Sequence, residues 1–259
     1  MALRSSLPFD PTSNEPFKIS RSKLEIFTQC PRCSYLDLRL GVKRPDTPAF
    51  TLNNAVDRLL KKEFDIHRAK GSKHPLFDTY GVDAIPFAHE KLAEWRENFK
   101  GIRYHHEPTN FILTGAIDDV WEDTATKELI IVDYKATSKN RVITLDDLYD
   151  SYKQQMEVYQ WLFRRSGFSV SPTGYFVSVN GKTDAKAFDA KLEFEVILIP
   201  YQGSDAWIEP KLFELKEVLA SDTIPPMGKA FMGGPCDYCT YREAAGKTLQ
   251  ALHAKNKKK

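Results

Sequence analysis

Four cysteines constrain this chain more than any other feature. They fall in two C-x-x-C pairs, Cys30/Cys33 and Cys236/Cys239, roughly 200 residues apart, and the chain has no other cysteine. Structural disulfides are not expected in a reducing cytosol. Two C-x-x-C knuckles supply four thiolates, enough to close a tetrahedral Zn²⁺ site or hold a [4Fe-4S] cluster. Either centre would clip the start of the fold to its end, and closing so long a loop restrains the unfolded chain. Pro31 and Pro235 flank the pairs and suit tight turns that aim thiolates at one point. A thiolate-closed metal has no open position, so the expected role is structural.

A chain of 259 residues, 42% of them hydrophobic, can bury one large core around such a clip. No run approaches the ~18 apolar residues that span a bilayer. Met1–Asn14 has no apolar stretch behind Arg4. The expectation is a soluble cytoplasmic protein with no membrane partner. Lys plus Arg number 37 and Asp plus Glu 35, a net charge of +2. That balance neither requires nor excludes nucleic acid, because a basic channel around an acidic metal site averages to near neutrality.

Hydrophobic periodicity organises the rest. Ser22–Leu40 reads as two short helical pieces around the first knuckle, and Leu52–Ala69 as a long helix with Leu52, Val56, Leu59, Leu60 and Phe64 on one face. Phe87–Phe99 reads as a helix. Phe111–Trp121 and Glu128–Tyr134 read as a hairpin, Leu145–Arg165 as an amphipathic helix, Ser169–Val179 and Leu192–Ile199 as strands, and Asp205–Ala220 as a helix. This order predicts an α/β (α+β mixed) fold, a central mixed sheet flanked by helices. Residues 1–18 are expected to be a flexible segment, 19–245 a single domain, and 246–259 a basic tail.

The middle of the chain carries the chemistry. Asp133 and Lys135, in Ile-Ile-Val-Asp-Tyr-Lys, are two apart on a predicted strand and so face one side. If the preceding strand pairs beside it, Asp118 of Thr-Gly-Ala-Ile-Asp-Asp reaches the same spot. Two carboxylates and a lysine at strand ends suit Mg²⁺ (or Mn²⁺), which takes oxygen ligands and keeps several waters. Such a cation polarises a phosphodiester and acidifies water, and the ammonium offsets charge growing on the phosphate. Asp133 beside the apolar run Leu129–Val132 costs desolvation unless something cationic is held. On the next helix Tyr152, Gln155 and Tyr159 share a face. Arg32, Arg39, Lys43, Arg44, Lys61 and Lys62 are candidate phosphate contacts. Tyr35 and Trp121 are read first as core aromatics, and the pair His105–His106 as an exposed turn.

Together, Gly115-x-Ile117-Asp118, Asp133-Tyr134-Lys135 and Gln155-x-x-x-Tyr159 resemble the PD-(D/E)XK nucleases of the RecB-like branch. Ile19-Ser-Arg-Ser through Cys30-Pro-Arg-Cys33 is similar to the opening of that branch, which includes CRISPR-associated RecB-like exonucleases and AddB nuclease domains. The resemblance spans residues 19–245. It implies a restriction-endonuclease-like core, Asp118 and Asp133 as metal ligands with the Tyr134 carbonyl, Lys135 as the catalytic lysine, and Gln155 and Tyr159 as accessory residues. It implies a DNA substrate, an exonuclease activity, and a helicase, CRISPR or repair protein as partner. Two departures stand out. Asp57 occupies the place where the branch often has a histidine ligand, which makes an all-oxygen site. Relatives pair one early cysteine with three late ones around [4Fe-4S], whereas here the division is two and two, with Ala245 where a third late thiolate would fall. The choice between Zn²⁺ and [4Fe-4S] stays open. The alternatives to a nuclease are a catalytically inactive nucleic-acid-binding module and a protein-interaction subunit.

Overall fold

The computed structural model describes residues 7–46, 50–230 and 233–257. Its elements run β1 (Phe17–Ser20), α1 (Arg21–Gln29), α2 (Pro31–Leu38), α3 (Thr51–Lys70), α4 (Pro75–Tyr80), β2 (Ala84–Pro86), α5 (Leu92–Trp95), β3 (Ile102–His106), β4 (Phe111–Gly115), β5 (Asp119–Asp123) and β6 (Leu129–Thr137). After a 3-10 turn at Leu145–Asp147 come α6 (Asp150–Arg165), β7 (Thr173–Gly181), β8 (Phe194–Gln202), α7 (Ile208–Ala220) and α8 (Asp237–Asn256). One sheet has the order β1-β4-β3 and the other β2-β5-β6-β7-β8. The chain divides into two compact units, one drawing on residues 1–47, 105–112 and 207–259, the other on 48–104 and 113–206.

The second unit holds the five-stranded sheet. Its pairs are antiparallel except β6–β7, which is parallel. Parallel neighbours need a long crossover, and α6 provides it. The turn of the β5–β6 hairpin is built by Asp123, whose Oδ1 accepts from the N–H groups of Ala125 (2.9 Å) and Thr126 (2.8 Å). That local cap sets the register Asp119 opposite Val132. Ile130, Val132 and Tyr134 alternate onto one face, where they join Leu60 and Phe64 of α3 and Trp121 in one buried cluster. On the other face Lys135 meets Gln155 and Tyr152 of α6.

The first unit carries an aromatic cluster of Phe9, Phe17 and Phe111, with Phe9 centroids 5.2 and 6.2 Å from its neighbours. The apolar stripe of α7, Ile208, Leu212, Leu215 and Leu219, is fully buried and α7 packs on α1 and α2. Residues 246–256, read from the sequence as a tail, continue α8. Residues 1–6 and 258–259 lie outside the described residues. Among the described residues no helix is long and apolar enough to cross a membrane.

The mixed α/β class is as expected. Three local readings change. The helix expected over 87–99 shrinks to α5, because the Phe87 N–H bonds the Val120 carbonyl (3.0 Å) and keeps that stretch extended, and Phe99 adopts a positive φ of 74°. The strand expected over 111–121 breaks at 116–118, where the Ile117 N–H turns to the Trp95 carbonyl (3.0 Å). The break places Asp118 immediately before β5. His105 and His106 lie in β3, and His106 is buried with Nδ1 2.8 Å from Thr109 Oγ1.

Candidate active site

The hairpin register brings Asp118 beside the end of β6. Its Oδ2 accepts the Tyr134 N–H at 2.9 Å. A strand residue's N–H and C=O leave on the same edge, so the Tyr134 carbonyl faces the side beyond the start of β5, where Asp118 lies. Asp133 is fully buried and ion-paired with Lys135, as expected for residues two apart on one strand. The Lys135 ammonium donates to Gln155 Oε1 (3.3 Å) and lies over the Tyr152 ring, 4.5 Å from its centroid. Gln155 Nε2 in turn donates to the Tyr159 hydroxyl (2.9 Å). The face shared by Tyr152, Gln155 and Tyr159 on α6 is therefore the one that holds Lys135.

Gly115 completes this relay by what it lacks. A Cβ there would fall 2.6 Å from Tyr159 Cε1 and 2.9 Å from Cδ1. The glycine of the Gly-x-Ile-Asp motif is the seat of the Tyr159 ring.

Asp57 comes from α3. Lys61, one turn on, places its Nζ 2.8 Å from Asp57 Oδ1 and 3.1 Å from Asp118 Oδ1. Burial raises the Asp57 pKa, and the neighbouring Asp118 adds to it against the pull of Lys61. Burial opposes ionisation of Asp118 too, but Lys61, Lys135 and the Tyr134 N–H outweigh it and hold that carboxyl below the usual range. Lys135 is held protonated: burial works against its charge, and Asp133 and Asp118 overcome that. The two carboxylates beside a bound ammonium behave as a cation site. With Asp133 buried nearby, these oxygen donors fit a hard divalent ion.

Behind this face lies a network the sequence reading missed. Asp119 is fully buried. Its Oδ1 receives Arg68 and Arg96 (the latter at 2.8 Å), and its Oδ2 accepts the Tyr134 hydroxyl at 2.7 Å. Arg96 Nε also donates to the Asp118 carbonyl (2.9 Å). The network ties the residue before β5 to the Asp-Tyr-Lys segment from the side opposite Lys135. A signal for it was present: strand alternation turns Asp119 to the face opposite its neighbour, and an acid there needs buried partners.

The cysteines of the first unit sit at two helix starts. Cys30 and Cys236 are the residues preceding α2 and α8, and Cys33 and Cys239 lie in the first turns. Helix N-termini favour thiolate. Sulfur–sulfur distances are 3.7 Å for Cys30–Cys239, 3.6 Å for Cys33–Cys236 and 3.4 Å for Cys33–Cys239. Gly228 donates its N–H to Cys30 Sγ at 3.2 Å, and a Cβ there would strike Gln29 O at 2.2 Å. Burial raises the Cys30 pKa, yet the N–H groups of Gly228 and Cys33 bring it down to about 7. Cys33 and Cys239 are pushed up by burial. Arg44 reaches Cys236 Sγ at 3.8 Å and Arg242 reaches Cys33 Sγ at 4.0 Å, two positive charges beside what becomes an anionic centre once a metal deprotonates it.

Among the described residues, these four cysteines form the metal-ligating group whose donor atoms all lie within 4.8 Å of one another. Asp57, Asp118 and Asp133 do not close to that degree; Lys61 stands between the first two and Lys135 beside the third. Of the basic residues considered as phosphate contacts, four are engaged within the protein: Arg32 with Glu243, Arg39 with the Phe9 carbonyl and Asp222, Arg44 at the cysteines, and Lys61 as described. Tyr35 and Trp121 are buried, the Tyr35 hydroxyl on the Ser221 carbonyl (3.0 Å).

A family model for the PD-(D/E)XK nuclease superfamily matches residues 43–244. The chain belongs to this superfamily. The matched stretch takes in every member of the Asp57, Asp118, Asp133, Lys135, Gln155 and Tyr159 constellation and Cys236 and Cys239, and it begins after Cys30 and Cys33. Among solved structures the PD-(D/E)XK chain is similar to one described as the crystal structure of SSO0001, at 14% identity and a TM-score of 0.39, over 82% of this chain and 81% of that one. No curated protein matches it.

Proposed function

We propose that this PD-(D/E)XK protein is a Mg²⁺-dependent deoxyribonuclease of the RecB-like branch that acts as an exonuclease. The observation that carries the reading is the juxtaposition at the β6 end: Asp118 tied to the Tyr134 N–H at 2.9 Å, next to a fully buried Asp133 paired with Lys135. Asp118, Asp133, Asp57 and the Tyr134 carbonyl would hold the divalent ion, which when bound supplies Lewis acidity and a more acidic water. Lys135 remains protonated under its carboxylate neighbours and faces the place where phosphate charge grows. Gln155 and Tyr159 fix the ammonium's direction, and Gly115 makes room for them. End-labelled linear DNA should lose nucleotides with Mg²⁺ and survive EDTA, while a covalently closed circle of the same sequence persists. Cutting of the circle at the same rate contradicts the exonuclease assignment, and intact linear DNA in Mg²⁺ and in Mn²⁺ contradicts the enzyme assignment.

The same reading assigns the four cysteines to one structural Zn²⁺. A tetrahedral ion with Zn–S bonds of about 2.3 Å separates its sulfurs by about 3.8 Å, close to the 3.4 to 3.7 Å of the Cys30–Cys239, Cys33–Cys236 and Cys33–Cys239 pairs here. A cubane puts each thiolate on a different iron and needs four irons and four sulfides inside the thiolate tetrahedron. Sulfurs all within 4.8 Å of one another enclose room for one ion.

A further inference from the structure

We propose that Lys61 is the resident counter-cation of the active site: its ammonium bridges Asp57 and Asp118 before metal arrives, and a divalent ion binds by evicting it. The inference rests on reading those aspartates as ligands. The atoms involved make the competition direct. Asp118 Oδ2 is committed to the Tyr134 N–H, so Oδ1 is the oxygen left for a metal, and Lys61 Nζ lies 3.1 Å from it. The same ammonium lies 2.8 and 3.0 Å from the two oxygens of Asp57. It therefore contacts three of the four carboxylate oxygens the pair can offer.

Helix geometry explains why a lysine serves here. Residues i and i+4 stack on one face of α3, so the side chain four positions after Asp57 curls back over it. Two neighbouring carboxylates repel, and a cation between them removes that repulsion. The ammonium sits on a flexible stem, and the Lys61 side chain is 21% exposed, so it has a way out to solvent. Lys135 also pairs with a proposed ligand, Asp133, but it touches that one carboxylate and is anchored away from the Asp57–Asp118 pair by Gln155 and the Tyr152 ring, so Lys61 is the ammonium that bridges two ligands. Every protein molecule with Lys61 in place is closed to the metal, and apparent metal affinity falls by that fraction.

Mn²⁺ titration of the zinc-loaded full chain, read by electron paramagnetic resonance of free Mn²⁺, tests this without any turnover. Lys61→Met should bind Mn²⁺ about tenfold more tightly than wild type, the scale of two part-exposed ion pairs. Lys61→Arg, which keeps the charge, should stay near wild type, and Asp118→Asn should abolish the site in both backgrounds. Lysine acylation read by mass spectrometry needs no variant: Lys61 of the wild type should label several-fold faster once Mn²⁺ is bound. Equal or weaker binding by Lys61→Met, or unchanged Lys61 labelling while an Asp118-dependent Mn²⁺ site fills, overturns the counter-cation role and leaves the nuclease reading intact. Absence of any Asp118-dependent Mn²⁺ binding in wild type and Lys61→Met overturns both.

Discussion

Asp119→Ala should destabilise the unit that carries the active site severely. The carboxylate is fully buried and receives Arg68, Arg96 and the Tyr134 hydroxyl. The two guanidinium side chains are only 8% and 13% exposed, so solvent cannot take over the lost partner. Removing one member of a buried ion cluster leaves uncompensated charge and costs about 3 to 5 kcal/mol. At roughly 2 to 4 °C per kcal/mol for a chain of this size, the melting temperature should fall by about 6 to 20 °C. Asp119→Asn keeps an acceptor for Tyr134 and should lose less. Trp95 and Trp121 are buried in the same unit and report its unfolding by fluorescence in a denaturant series. Because Arg96 also holds the Asp118 carbonyl, DNA cleavage by folded Asp119→Asn should fall in kcat more than in KM. A loss under about 1 kcal/mol for Asp119→Ala refutes the view that this network clamps the site.

Gly115→Ala should cost about 1 to 3 kcal/mol by overpacking against Tyr159 and lower cleavage beyond what stability explains, since Lys135 loses the Gln155–Tyr159 support; a fully active, fully stable variant contradicts that seat. Purified protein should be colourless and hold one zinc per chain by elemental analysis; brown protein with four irons contradicts the one-ion assignment. Cys239→Ser should release the metal and make the unit formed by the chain's two ends susceptible to proteolysis, while Asp118 and Lys135 remain in place; retention of stoichiometric zinc argues against four-thiolate ligation. Asp57→Ala should weaken Mn²⁺ binding about tenfold or more, measured by the same titration, and undiminished affinity removes Asp57 from the ligand set.

The legible parts of the sequence were those where one period or one spacing decided the outcome. Strand alternation alone placed Asp133 and Lys135 on one face, and helical periodicity placed Tyr152, Gln155 and Tyr159 together and foretold over Leu52–Ala69 the helix that runs Thr51–Lys70, although Leu52 and Leu59 of its expected apolar face are exposed. The paired C-x-x-C knuckles foretold a four-sulfur cluster across roughly 200 residues. What escaped was decided by tertiary hydrogen bonds. The helix over 87–99 gave way because Phe87 found a partner on Val120, and the strand over 111–121 broke because Ile117 found Trp95. That break positions Asp118, so the feature that matters most to the site was the least visible in the pattern. Lys61 was read as a phosphate contact because a lysine on a helix face gives no sign that two aspartates from different elements converge on it. Arg68 and Arg96 were silent for the same reason: Asp119 reveals its partners only after the β5–β6 hairpin has formed.

The most direct test is the rate of phosphodiester cleavage by Lys135→Ala against wild type, at saturating Mg²⁺ and with folding checked by its melting curve. With the ammonium gone and Asp118 and Asp133 intact, turnover should fall by about 10² to 10³ while DNA binding in Ca²⁺ persists. A Lys135→Ala protein that cuts DNA as fast as wild type would mean that the chemistry happens elsewhere.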